Sequence, residues 1–351
     1  MARTERVRAT SASGLSGEPD RGVHRMRDNR GMTTEGRRVD ILGEPYAAET
    51  IPLPDDDEGP VEATLVSRRS GAGTDRAVLH LHGFADYFFQ TAAADYWTEQ
   101  GYDFYALDLR KYGRSLRPHQ TPNFVTDLAH YYPEIDEAFH RVVERDGHDR
   151  VVLSAHSTGG LIGPLWAHDR QPRLAGMVLN SPWLDLHGNF LLRTAGTRAI
   201  NEIGARRPYL TIPREISGLY AQSLHREHRG EWDFDLSWKP LESWPVTAGW
   251  LRAVRRGHGR AHKGLKVPAP VLVLTSAGSS RPKGWEDSCA STDIVLDVEQ
   301  IRRWAPRLAD HVTLVRIDGA VHDVTLSREP VRKVAFDEMT RWLGAYVDSV
   351  G

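Results

Sequence analysis

The chain has 351 residues, 40% of them hydrophobic and 26% charged, with a formal net charge of -2 and one cysteine. That composition belongs to a globular protein long enough for one α/β domain with an insertion, or for two domains. No run approaches the roughly 18 apolar residues that span a bilayer, and the charge gives no whole-protein argument for nucleic acid. Cys289, standing alone, excludes an internal disulfide and predicts a reducing, cytoplasmic setting.

Residues 1–38 carry nine arginines among Gly, Ser and Thr and hardly any apolar residue, which predicts a disordered tail. The tail lacks the apolar centre of a secretory signal, and its scattered acids speak against a transit peptide. Met26 and Met32 are alternative starts, and an arm for nucleic acid is the alternative role. Runs 39–54 and 61–69, broken by Gly, Pro and Asp, predict an antiparallel strand pair. Beyond them the pattern changes to a strand at 77–81, a helix at 88–100, a strand at 103–107, a helix at 127–143, a strand from Val151, a helix from Leu161 and a strand at 176–180. Strand and helix in alternation imply parallel pairing by right-handed crossovers, hence a doubly wound α/β fold with a mostly parallel sheet.

Between 183 and 266 the alternation stops. This stretch holds five tryptophans (Trp183, Trp232, Trp238, Trp244 and Trp250) and reads as an inserted helical cap, because the alternation resumes at 271–274. A last strand at 311–317 and a closing helix at 329–347 follow. The predicted organisation is a tail at 1–38, core at 39–183, cap at 184–266 and core again at 267–351.

The stretch Val151-Val152-Leu153-Ser154-Ala155-His156-Ser157-Thr158-Gly159-Gly160 joins a buried strand to a helix through a tight turn with a serine at its tip. This is the nucleophile-elbow arrangement, in which the turn lifts the Ser Oγ above the carboxyl edge of the sheet. Ala155 stands where the usual pattern has glycine, a position that needs a small side chain more than a positive φ. A serine nucleophile needs a base, and the base needs an acid that fixes its tautomer. Of the sixteen histidines, His322 alone falls between the last strand and the last helix, at the same sheet edge as Ser157, and is the expected base. The acid should follow the strand at 271–274, where Glu286, Asp287, Asp293 and Asp297 compete. Asp297 suits a helix N-cap, and Asp293 precedes the apolar Ile294-Val295, which would anchor it to the core, so Asp293 is the expected acid. Two backbone N–H groups, of Thr158 and of Phe84 in His82-Gly83-Phe84, are expected to form an oxyanion hole, with His82 satisfied within its turn.

With these pieces together, the chain resembles the α/β-hydrolase superfamily and, within it, the monoacylglycerol lipase and lysophospholipase-like serine hydrolases. The resemblance rests on His82-Gly83-Phe84, Asp108-Leu109-Arg110-Lys111-Tyr112-Gly113-Arg114-Ser115, His156-Ser157-Thr158-Gly159-Gly160, Asp293-Ile294-Val295 and Gly319-Ala320-Val321-His322. It implies an α/β-hydrolase fold and a structural role for Asp108 and Arg110 beside the oxyanion loop. It also implies a serine esterase that cleaves carboxylic esters of lipid-like or apolar acyl substrates through an acyl-enzyme, with no cofactor.

The pairs His225/His228 and His258/His262 lack the spacing and glutamate of H-E-x-x-H, so no metal site is expected. The basic run from Arg252 to Lys266 reads as a solvated face, with anionic lipid head groups as its alternative partner. A proline-type aminopeptidase of the same fold is one rival; it needs acids in the cap to bind a free amine, and this cap is net basic. Epoxide hydrolases and dehalogenases place Asp where Ser157 stands. The rival from another class is a non-catalytic binding protein on a hydrolase fold.

Overall fold

A computed structural model describes residues 36–71, 73–186, 190–213 and 217–349, without the side chains of 190–195 and 198. The arginine-rich stretch 1–35 lies outside the described residues. Three strands, β1 (Arg38–Val39), β2 (Ala47–Asp56) and β3 (Gly59–Arg68), run antiparallel and dock on β5 (Asp103–Asp108), which follows β4 (Arg76–Leu81) and α1 (Thr91–Glu99). Next come α2 (Tyr132–His140), β6 (Arg150–His156), α3 (Gly159–Arg170) and β7 (Gly176–Asn180). The excursion between β7 and β8 holds α4 (Phe190–Arg206), α5 (Leu219–Leu224) and α6 (Ala248–Lys263). Then β8 (Val271–Ser276), α7 (Val298–Trp304), β9 (Val312–Ile317) and α8 (Glu329–Tyr346) complete the chain. The nine strands of the described residues form one sheet in the order β1-β2-β3-β5-β4-β6-β7-β8-β9, parallel from β5 to β9.

The parallel strands are apolar on both faces because both faces are covered. Val151, Leu153 and Ala155 of β6 pack with α2, α3 and α6, while Val152 packs on the opposite side with α1 and α8. Each such Val or Leu contributes about 1.5–3 kcal/mol by leaving water. After β4 the chain adds β5 on one side and then β6 on the other. The β4/β6 seam is therefore the switch point where strand order reverses, and the crevice opens at its carboxyl end.

Three local differences from the sequence expectation have simple causes. Residues 88–90 are not helical, because the Phe88 N–H is taken by Asp108 Oδ1 at 2.9 Å and α1 starts only at Thr91. The helix expected at 127–143 is divided into a 3₁₀ turn (Leu128–Tyr131), α2 and a π turn (Arg141–Arg145), with Pro133 in the first turn of α2, where its missing N–H costs nothing. The last helix of the β7–β8 excursion, α6, lies on the sheet-covering layer: a Cβ at Gly257 would come within 2.8 Å of Leu128 and 3.2 Å of Leu161.

Three of the six cations in the basic run are ion-paired among the described residues. Arg255 bonds Asp185 at 2.7 Å, Arg256 meets Asp127 at 3.0 Å and Arg260 meets Asp169 at 2.5 Å. Arg255 is moreover only 10% exposed, so it belongs to the packing of α6 rather than to a solvated basic face.

Candidate active site

Ser157 occupies the turn between β6 and α3 with φ at +51°, a left-handed conformation unusual for a non-glycine residue. The surroundings hold it there. Its N–H donates to Asn180 O at 3.0 Å, and its carbonyl accepts from the Trp183 N–H at 2.8 Å. Small residues let the neighbouring elements close in: a Cβ at Gly159 would sit 2.5 Å from the His82 carbonyl oxygen, and one at Gly160 would sit 2.7 Å from Pro182 Cβ. Ala155, fully buried in β6, has a negative φ, so its methyl group is accommodated without strain.

His322 lies beyond β9, and its Nε2 is 3.0 Å from Ser157 Oγ. Its Nδ1 is 2.9 Å from Asp293 Oδ2. The Nδ1–H donates to the carboxylate, which leaves Nε2 to accept the serine proton. Asp293 is wholly buried, and its other oxygen accepts the N–H groups of Val295 and Leu296 at 2.8 and 2.7 Å. Those bonds fix the carboxylate, not a burial of Ile294 and Val295, which are only half-buried and face a cavity. Asp297 caps α7 by accepting the Glu299 N–H, and Glu286 accepts from Ser288. Of the four acids on this loop, Asp293 is the one that reaches His322 among the described residues.

The loop after β4 closes over the serine. A Cβ at Gly83 would lie 3.0 Å from Ser157 Cβ and 3.2 Å from the His156 ring, so only glycine fits without displacing them. Neither the Phe84 nor the Thr158 N–H is spent on another described residue, and both residues line the cavity beside Ser157. His82 donates from Nδ1 to the Gly83 carbonyl at 2.8 Å and accepts the Leu109 N–H on Nε2 at 3.0 Å, tying the ends of β4 and β5 together. Asp108 supports the same loop through Phe88, but Arg110 turns away and forms a two-pronged pair with Glu134. The arginine that braces the loop is Arg114, which bonds the Phe88 carbonyl at 2.9 Å, Asp108 at 2.9 Å and Asp40 at 2.6 Å. Its spacing from Asp108 gave no sign of this, because Asp40 lies 74 residues away.

The cavity measures about 470 Å³ and is walled mainly by apolar groups. The Phe84 and Trp250 rings lie tilted at 38° with centroids 4.1 Å apart, and Trp183 adjoins Trp250 at 5.8 Å. Trp183 and Trp250 line the cavity, whereas Trp232 and Trp238 pin the excursion to the core: Trp232 Nε1 donates to Leu326 O, and Trp238 meets Tyr87 edge-on. One buried ion pair also lines the cavity, Lys239 with Asp86 at 2.9 Å. Burial pushes the Asp86 carboxyl up, but Lys239, His156 and His82 outweigh it and hold its pKa down at about 2. This pair is invisible in the sequence, since its partners are 153 residues apart.

No group of three or more His, Cys, Asp or Glu among the described residues is arranged to hold a metal. His225 bonds the Phe234 carbonyl, and His258 bonds the Trp183 carbonyl and Arg255. Burial, then Arg255, lowers the pKa of His258 to about 3, so it stays neutral. No described helix is long and apolar enough to cross a membrane.

The family described as Hydrolase_4, serine aminopeptidase S33, matches residues 72–279. The chain belongs to this family of α/β hydrolases. The match takes in Ser157, while Asp293 and His322 lie beyond its end. A monoglyceride lipase from Saccharomyces cerevisiae superposes with a TM-score of 0.61 at 15% identity, over 85% of this hydrolase and 95% of the lipase. A monoacylglycerol lipase from Paleococcus ferrophilus gives 0.57 at 17% identity, over 85% and 99%. Both share the α/β-hydrolase fold with this chain. In sequence, the uncharacterised protein YnbC of Escherichia coli K12 is 37% identical over 82 residues, 22% of this chain and 13% of YnbC.

Proposed function

We propose that this hydrolase cleaves carboxylic esters of lipid-like or other apolar acyl substrates through an acyl-enzyme on Ser157. The observation that carries the proposal is the hydrogen-bonded line Ser157–His322–Asp293 opening onto an apolar cavity. Ser157 Oγ attacks the acyl carbon as its proton passes to His322 Nε2, and Asp293 stabilises the resulting imidazolium. The N–H groups of Phe84 and Thr158 receive the oxyanion. His322 then protonates the departing alcohol and afterwards takes a proton from water, whose hydroxide attacks the acyl carbon; collapse of this adduct breaks the bond to Ser157 Oγ, which His322 reprotonates as the acid leaves.

The excursion 184–266 acts in this proposal as a cap, seated on the core through α6 and roofing the acyl pocket. A free amine, the mark of an aminopeptidase substrate, needs an unpaired acid. Among the described residues of the cavity wall Asp86 is the sole acid, and Lys239 already holds it, which favours the ester. With one buried cysteine, Cys289, the enzyme fits the cytoplasm.

The test combines fluorophosphonate labelling with a panel of p-nitrophenyl esters from acetate to palmitate, a monoacylglycerol and a dipeptide amide. Labelling at Ser157 is expected, with kcat/KM rising roughly fourfold for each methylene buried until the cavity is full. Faster cleavage of the amide would make the enzyme a peptidase, and absence of both labelling and turnover would make it a binding protein.

A further inference from the structure

His322 is the member of the triad with the least support from its own backbone. Its loop leaves β9, the edge strand of the sheet, and among the described residues neither its N–H nor its carbonyl takes part in a hydrogen bond. The loop is held instead at its flanks, where the Val321 N–H reaches Ser327 Oγ at 3.1 Å and the Val324 N–H reaches Asn180 Oδ1 at 3.0 Å. The residue next to the base, Asp323, is tied to the core by its carboxylate, which accepts from Asn180 Nδ2 at 2.6 Å, and its backbone has one tether from outside the core. The Asp323 N–H donates at 3.1 Å to the hydroxyl of Tyr220, a residue of α5 in the β7–β8 excursion.

Tyr220 also touches the base itself. Its ring meets the His322 imidazole at 5.5 Å and 74°, edge to face, on the cavity side. The ring in turn lies 5.8 Å under the Lys239 ammonium, and Lys239 is fastened to Asp86 of the loop after β4. Tyr220 therefore links the excursion to His322 and is itself backed by an ion pair to the core.

We propose that Tyr220 is a positioning residue for His322. Its hydroxyl sets the height of the base's loop, and its ring edge limits rotation of the imidazole away from the line between Ser157 and Asp293. The proposal rests on the serine mechanism above and extends it: seating of the excursion on the core and alignment of the base are one event. A triad of correct composition would then be poorly active until Tyr220 is in place.

The experiment uses the full chain as wild type, Tyr220→Phe and Tyr220→Ala. It measures kcat and KM on p-nitrophenyl acetate, whose acyl group is too short to draw on the apolar cavity, alongside fluorophosphonate labelling rate and thermal melting. Loss of the hydroxyl in Tyr220→Phe is expected to lower kcat by about 3–10-fold, the worth of one hydrogen bond. Tyr220→Ala, which frees the imidazole as well, is expected to lower it by about 10–100-fold. KM should stay within about twofold in both, because the lost interaction is with the base and not with the substrate, and labelling should slow in parallel. A rise in KM with kcat unchanged would make Tyr220 only a piece of pocket wall and overturn the proposal. Should Tyr220→Ala lose its cooperative melt, Tyr220→Phe decides alone, and a wild-type kcat in that variant also overturns it. A wild type that neither labels nor turns over would instead sink the ester-hydrolase reading.

Discussion

Two regions meet at the cavity and are held by different forces. The turns at the carboxyl ends of β4, β6 and β8 are polar and tightly bonded: Ser157, His82 and Asp293 each have two or more hydrogen-bond partners at 2.7–3.0 Å. The β7–β8 excursion is joined to the same cavity mainly by aromatic contact, as between Trp250 and Phe84 or Trp238 and Tyr87. Chemistry at a proton-transfer site tolerates little displacement, whereas an acyl pocket needs only volume and apolar area. Lys239 and Tyr220 are among the excursion's side chains that add a directed contact into the core, as are Trp232, Arg256 and Arg260.

This contrast is sharpened most by Ser157→Ala, which should lower kcat by on the order of 10⁵ or more while thermal melting stays close to wild type. A tenth of the activity surviving would remove Ser157 from the chemistry. Next in size, Asp293→Asn should cost about 10⁴ in kcat by presenting His322 with a donor where an acceptor is needed. Asp297→Asn is its control, since Asn caps a helix about as well as Asp, and steady-state kinetics of the two on one activated ester would separate catalysis from capping.

Lys239→Met probes the excursion instead. It strands Asp86 as a buried charge and should lower stability in urea unfolding by roughly 3–5 kcal/mol. Adding Asp86→Asn should recover much of that loss; additive destabilisation would mean that the two side chains do not act as a pair. The smallest of these effects is expected from Gly83→Ala, whose new methyl would press on Ser157 Cβ at 3.0 Å. A displacement of the turn by a few tenths of an ångström should reduce kcat by up to about 10²-fold, and an unchanged kcat would show that the loop yields at no cost.

Much of the site was legible because its signals are local. A strand of Val151, Val152 and Leu153 followed by small residues marks the turn that bears Ser157, and the alternation of strands and helices places His322 at the same sheet edge. The parallel sheet follows from that alternation, since crossovers of one hand leave few other topologies. The placement of Asp293 was harder, because the path of 277–292 is set by contacts between distant parts of the loop, such as the bridge between Ser279 and Asp293 beside β8 and the bond from Ser279 Oγ to the Leu296 carbonyl. Arg110 was read as the brace of the oxyanion loop, yet Arg114 does that work. Two arginines four residues apart have the same local signal and differ only in whether Glu134 or Asp40 lies opposite.

By itself, then, the sequence determined the order of strands and helices, the serine turn and the position of His322 at the same sheet edge. These depend on the apolar period and on small residues within ten positions of one another. The tertiary structure alone decided the Lys239–Asp86 pair, the Tyr220–His322 contact and which of five tryptophans face the cavity. Each is a contact between segments a hundred or more residues apart, or between side chains whose direction is set by how the excursion packs, and no local pattern records which distant group will stand opposite.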